Sequence, residues 1–123
     1  MFKLGKLEVS SLGFNVVNNR RKYKLNVRNI ETGLNETFKY TTQTLRYLPK
    51  DKNEIFKDGL YCLFSDYNIY QNCENEFDFI KEFGYSEEEG EKIYKLLEDN
   101  SIRFSKLLDN ETIELLSKYY ENY

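Results

Sequence analysis

The sequence predicts an α+β fold: an N-terminal antiparallel β-meander of three to four strands, then a cluster of about four helices packed on one face. Three observations predict it. Before residue 48, apolar and polar residues alternate with period two, the pattern of half-buried strands. From Pro49 onward the apolar spacing becomes helical and cap residues appear. Charge divides at the same place: the first fifty residues hold ten Lys/Arg against three Glu, a balance of +7, and the rest hold eight against eighteen Asp/Glu, a balance of −10. Strands followed by helices are the order of an α+β domain. A chain of 123 residues is expected to be one domain, 1–123, with a basic strand-rich part over 1–48 and an acidic helical part over 49–123.

The strands are read in order. Phe14, Val16 and Val17 end at Asn18-Asn19, and Asn tolerates the left-handed backbone of a turn. Leu7 and Val9 extend that strand or form one of their own. Tyr23, Leu25 and Val27 alternate with Lys22, Lys24, Asn26 and Arg28 in the next strand, and Phe38 and Tyr40 alternate with Thr37, Lys39 and Thr41 in the last. Glu31-Thr32-Gly33-Leu34 between them carries the glycine of a hairpin loop.

The helices follow. Asp51 with Glu54 fits a capping box, opening a helix over Glu54 to about Tyr67 that buries Ile55, Leu60, Leu63 and Phe64. Asn68 to Asn75 reads as a polar loop. Asn75 caps a short helix through Phe77, Phe79, Ile80 and Phe83, with Gly84 as its C-cap. Ser86 with Glu89 forms the clearest capping box, and Glu87 and Glu88 add negative charge at the positive end of the helix dipole. Gly90, Ile93, Tyr94 and Leu97 then repeat at helical spacing, and Asn100-Ser101 interrupts or ends the helix. Asn110 caps a last helix with Ile113, Leu116 and Tyr119 or Tyr120 on its inner face.

Composition narrows the chemistry. The chain has no His, which removes the usual general base, zinc ligand and neutral-pH switch. Its two cysteines, Cys62 and Cys73, lack zinc-site spacing and read as reduced thiols of a cytosol. The start has no apolar signal-peptide core, and no stretch reaches the length of a membrane span. No catalytic constellation, phosphate-cradling loop, metal set or cofactor motif is legible. The expectation is therefore a non-enzymatic protein with no catalytic residues, metal or small-molecule cofactor. The 11 Tyr and 9 Phe match low-GC codon usage, although Tyr-rich surfaces also serve binding.

The run Phe77-Asp78-Phe79-Ile80-Lys81-Glu82-Phe83-Gly84-Tyr85, followed by Ile93-Tyr94, resembles an F-x-x-[FW]-x-x-E-F-G-Y-like pattern of small uncharacterised phage and prophage proteins of low-GC bacteria. The resemblance covers roughly Phe56 to Leu116 and includes the Gly59-Leu60-Tyr61-Cys62-Leu63-Phe64 run. Ser86-Glu87-Glu88-Glu89 departs from the D-x-D-S-like turn of that pattern, and Ile80 from its aromatic. The resemblance implies a mobile-element origin and an anti-defence role, such as an anti-CRISPR protein in the cytoplasm of the bacterial host. It names no target.

Two surfaces are candidates. The acids Glu87, Glu88, Glu89, Glu91, Glu98 and Asp99 imitate nucleic-acid phosphates and bind a host protein's basic groove, or are simply a solvated helix face. Arg20, Arg21, Lys22, Tyr23, Lys24, Arg28 and Lys39 form a basic hairpin that grips nucleic acid or the partner, or are a solvated sheet face that protects against aggregation. The leading expectation is an inhibitor that binds a bacterial defence protein, a CRISPR nuclease above all, and blocks its nucleic-acid path or assembly. The partner would be a nucleic-acid-binding complex, with contact to its bound nucleic acid and none to membrane. The alternative is a nucleic-acid-binding accessory protein working through the hairpin.

Overall fold

The computed structural model describes residues 1–17, 20–41 and 52–121, without the side chains of Phe14, Val16, Val17, Arg20, Arg21, Tyr40, Thr41 and Lys52. It is an α+β chain. Strands β1 (Phe2–Leu4), β2 (Leu7–Val17), β3 (Arg20–Asn29) and β4 (Asn35–Thr41) precede helices α1 (Lys52–Asn72), α2 (Glu76–Phe83), α3 (Glu87–Ser105) and α4 (Asn110–Tyr119). The strands form one antiparallel sheet in the order β1-β2-β3-β4, so the meander has four strands. Strand β1 was not among the elements read from the sequence. Leu4 pairs with Leu7 across a two-residue turn, and Gly5 takes φ +58 there. Leu7 and Val9 belong to the same strand as Phe14 to Val17, because a bulge lets β2 continue past Gly13.

The residues gather into two compact units, 1–62 with 107–123, and 63–106, and α1 carries the chain from the first into the second. The first unit holds thirteen Lys/Arg against ten Asp/Glu, the second five against eleven. The units keep the same polarity, +3 and −6, but less sharply than the +7 and −10 on either side of residue 50.

In the first unit, period-two alternation puts Leu7, Val9, Tyr23, Leu25, Val27 and Phe38 on one buried sheet face. Phe56, Leu60, Leu107, Leu116 and Tyr120 complete the buried apolar set of this unit among the described residues. Phe2 meets Tyr119 of α4, with ring centroids 6.0 Å apart, and the Tyr120 hydroxyl donates to the Lys57 carbonyl at 2.7 Å. Asn29 closes the β3–β4 loop: its Oδ1 accepts from the Glu31 and Thr32 amides, and its Nδ2 donates to the Leu107 carbonyl at 3.0 Å. Gly33, at φ +79, completes that loop as expected. At the β1–β2 turn Lys6 Nζ lies 2.6 Å from Asp109, 3.1 Å from Glu31 and 3.6 Å from Glu111.

In the second unit, α2 and α3 meet where Ile80 approaches Gly90, and the Phe79 ring packs at a tilt against Tyr85 and Tyr94. The second half of α1 joins them through Tyr67 with Phe104 and Tyr70 with Tyr94. Asn75 caps α2 and Ser86 caps α3 through side-chain oxygens, and Gly84 ends α2 at φ +69. Glu89 returns no bond to Ser86 among the described residues, so only half of that capping box is made.

Three boundaries differ from expectation. Helix α1 runs on to Asn72, so most of the expected polar loop is helix. Helix α3 runs through Asn100-Ser101 without a break, because Ser101 is buried and its Oγ donates to the Asp66 carbonyl at 3.3 Å. The cap of α4 is Asp109, one residue before Asn110, and accepts from the Thr112 amide at 2.7 Å. The expected cap Asp51 lies outside the described residues.

Candidate nucleic-acid interface

The outer face of the sheet is polar, as the alternation requires, but its charge is not uniform. At one end Arg28 pairs in register with Glu8, which also lies 3.7 Å from Lys3. Carboxylate and cations offset each other there. At the other end Lys24 and Lys39 are direct register partners across β3 and β4, and Lys22 lies one pleat along from Lys24, roughly 7 Å away. None of these three ammonium groups has an ion-pair partner among the described residues.

A β-bulge shapes this end. The register jumps between Ser11 and Phe14, so Leu12 and Gly13 of β2 face the single Lys24 of β3. A bulge of this kind bends the strand and increases its twist. Gly13 takes φ +116 there, a conformation that favours glycine. Its amide donates to the Ser11 hydroxyl at 3.1 Å and is therefore already used. The bend helps to frame a concavity of about 530 Å³ whose lining includes Leu12, Asn15, Lys22, Lys24 and Lys39. Leu12 is 60% exposed, an apolar contact at the rim of a cationic hollow.

The basic hairpin is thus assembled in part. Lys22, Lys24 and Lys39 come together. Arg28 stands four residues from Lys24, about 13 Å along the strand, beside Glu8. The backbones of Arg20 and Arg21 extend β3 opposite Val17 and Val16, and their side chains are not described. Tyr23 requires a correction. Named with the lysines as part of the grip, it borders the concavity but lies on the core side and is only 4% exposed. The reason is the strand pleat: a residue between two outward lysines points inward. Sequence reading missed Leu12 and Asn15, although Gly13 within a strand pattern is the usual sign of a bulge.

The acidic row is split by helical geometry. Spacings of four and seven residues put Glu87, Glu91 and Glu98 on one stripe of α3, with Glu88 and Asp99 on a second and Glu89 on a third. Lys92, Lys95 and Arg103 interrupt them. Arg103 Nε binds Asp99 at 3.1 Å, and the Tyr70 hydroxyl donates to Glu98 at 3.5 Å. Glu87 and Glu91 do meet Glu76, Phe77 and Ile80 around a cleft of about 310 Å³. Phe77 is 71% exposed there, and Glu76 Oε1 is buried with no hydrogen-bond partner among the described residues.

Cys62 and Cys73 are free thiols, and burial, with Glu82 and Asp78 nearby, pushes the Cys73 thiol up, away from the reactive thiolate. Among the described residues no group of three or more His, Cys, Asp or Glu could hold a metal ion, and no helix is long and apolar enough to cross a membrane. No protein-family model matches this chain, and no curated protein or solved structure is significantly similar to it.

Proposed function

We propose that the protein acts by binding, and that the cationic end of its outer sheet face takes a nucleic-acid strand. One observation carries this reading: Lys22, Lys24 and Lys39 surround a single concavity, with no carboxylate paired to them among the described residues. Three close ammonium groups repel one another and gather anions from solution. A run of phosphates satisfies all three at once, and the counterions it releases drive the association. The test is fluorescence anisotropy with labelled single- and double-stranded DNA and RNA at low salt. Saturable binding that is lost in Lys22→Glu/Lys24→Glu/Lys39→Glu is the expected outcome. A flat response of the wild-type protein at about 50 mM salt would sink the reading.

The cleft beside Glu76 supports a second reading: a phage- or prophage-encoded inhibitor acting in the bacterial cytoplasm. Carboxylates of Glu87 and Glu91 beside exposed Phe77 offer charge and apolar area together, the mixture found at protein-binding faces. In this reading they enter the basic groove of a defence nuclease. Pull-down from nuclease-treated lysate should retain one defence protein, and Glu87→Lys/Glu91→Lys should release it. Equal retention by that variant would exclude the cleft as the contact.

A further inference from the structure

We infer that the cationic concavity grips the phosphate backbone alone and leaves the bases unread. This inference rests on the nucleic-acid reading of the same site and goes further, to how that site discriminates.

Proteins that hold single strands through their bases do so on exposed aromatic rings, while Lys and Arg follow the backbone. Here the two functions come apart. Among the described residues no aromatic side chain stands on the outer sheet face. Tyr23 borders the concavity, but it is only 4% exposed, which closes its ring to a stacking base. Phe14 and Tyr40 are its register partners on either side. Among the described residues the cations lining the concavity are all lysines. A lysine is a point charge on a flexible stem, without the planar fork by which arginine stacks on a base or reads guanine. Asn15 supplies a side-chain amide beside the concavity, and one isolated amide without a stacking partner gives little discrimination. The Gly13 amide is turned to Ser11 and so does not face a ligand oxygen. What the described residues offer is charge at fixed spacing, which recognises phosphates and nothing attached to them.

The consequence is quantitative. Three neutralised phosphates give a slope of log K against log salt of about −2 for a single strand, a loss of roughly tenfold to twentyfold between about 50 and 200 mM. The experiment compares a labelled single-stranded DNA with an abasic oligonucleotide of the same length and phosphate number across that range. It uses the full chain, Lys24→Gln/Lys39→Gln and Asn15→Ala. Folding of each variant is checked by circular dichroism. Supporting results are natural and abasic strands bound within about threefold of each other, a salt slope that shrinks toward about −0.7 in the double lysine variant, and unchanged affinity in Asn15→Ala. Tenfold or tighter preference for the natural strand would overturn the inference and leave the nucleic-acid reading standing. If neither strand binds, both fall.

Discussion

Lys24 of β3 and Lys39 of β4 stand directly opposite each other across the antiparallel ladder, on the face turned from the core. Like charges in direct cross-strand register destabilise a sheet by a few tenths of a kcal/mol to about 1 kcal/mol. The pair is therefore a standing cost that a bound anion relieves. Lys39→Gln is expected to raise stability by that amount at low salt and by less at high salt, while weakening nucleic-acid binding. Urea denaturation at two ionic strengths, beside anisotropy on the same sample, measures both. Unchanged stability at both strengths would mean the two side chains splay apart in solution.

Asn29 joins the β3–β4 loop to residue 107 through three side-chain hydrogen bonds, two accepted and one donated. Asn29→Ala leaves the Leu107 carbonyl and two loop amides without that partner. The expected loss is about 2–4 kcal/mol, since each buried orphan costs about 1–3 kcal/mol and loop amides can recruit water. Asn29→Asp keeps the acceptor but sets a carboxylate against the Leu107 carbonyl, so its loss should shrink on acidification as the new carboxyl protonates. Chemical denaturation at neutral and mildly acidic pH separates the two variants.

A Cβ placed on Gly90 would stand 2.5 Å from Ile80 Cγ1 and 3.2 Å from Tyr85 Cβ. Alanine is the better helix former by about 1 kcal/mol, but overpacking costs about 1–3 kcal/mol. Gly90→Ala should therefore destabilise by roughly 1 kcal/mol against its propensity. In the Ile80→Ala background the same change should become neutral or stabilising. A double-mutant cycle on thermal unfolding checks the coupling. Additive effects would place the cost elsewhere than at this contact.

Two carboxyls give opposite pH dependence. Burial raises Asp66 to about 6, above its ordinary value near 4. The folded state then binds the proton more tightly than the unfolded chain. Its contribution is most favourable below about pH 4, falls as pH rises toward 6, and is flat beyond. Asp66→Asn should raise Tm above pH 6 and change it little near pH 4. Asp109 is the reverse: hydrogen bonds from the Lys6 ammonium and from Thr112 hold its carboxyl well below the carboxylate range. That stability is present above about pH 4 and lost as acid protonates the folded group. Asp109→Ala should lower Tm at neutral pH, with the difference narrowing in strong acid. Calorimetric scans across pH for both variants test the pair of signs.

Where a signal and its partner lie within one turn, the sequence was enough. Asn75, Gly84, Ser86 and Gly33 take the cap and turn roles that their neighbours demand. Alternation in β3 likewise put Leu25 and Val27 inside and the lysines outside. Ser101 shows the limit: beside Asn100 it reads as a break, but the Asp66 carbonyl thirty-five residues away satisfies its hydroxyl and the helix continues. The short β1 exists because β2 offers it an edge. The lysines were legible one by one. That Lys24 faces Lys39, that Arg28 is matched by Glu8, and that Leu12 and Gly13 bend β2 around Lys24 depended on cross-strand register and a bulge. The sequence by itself determined the α+β order, the caps of α2 and α3 and the faces of β3, because those follow from contacts within a few residues. Only the tertiary structure decided which charges become neighbours, because strand pairing joins residues that no local energy term links.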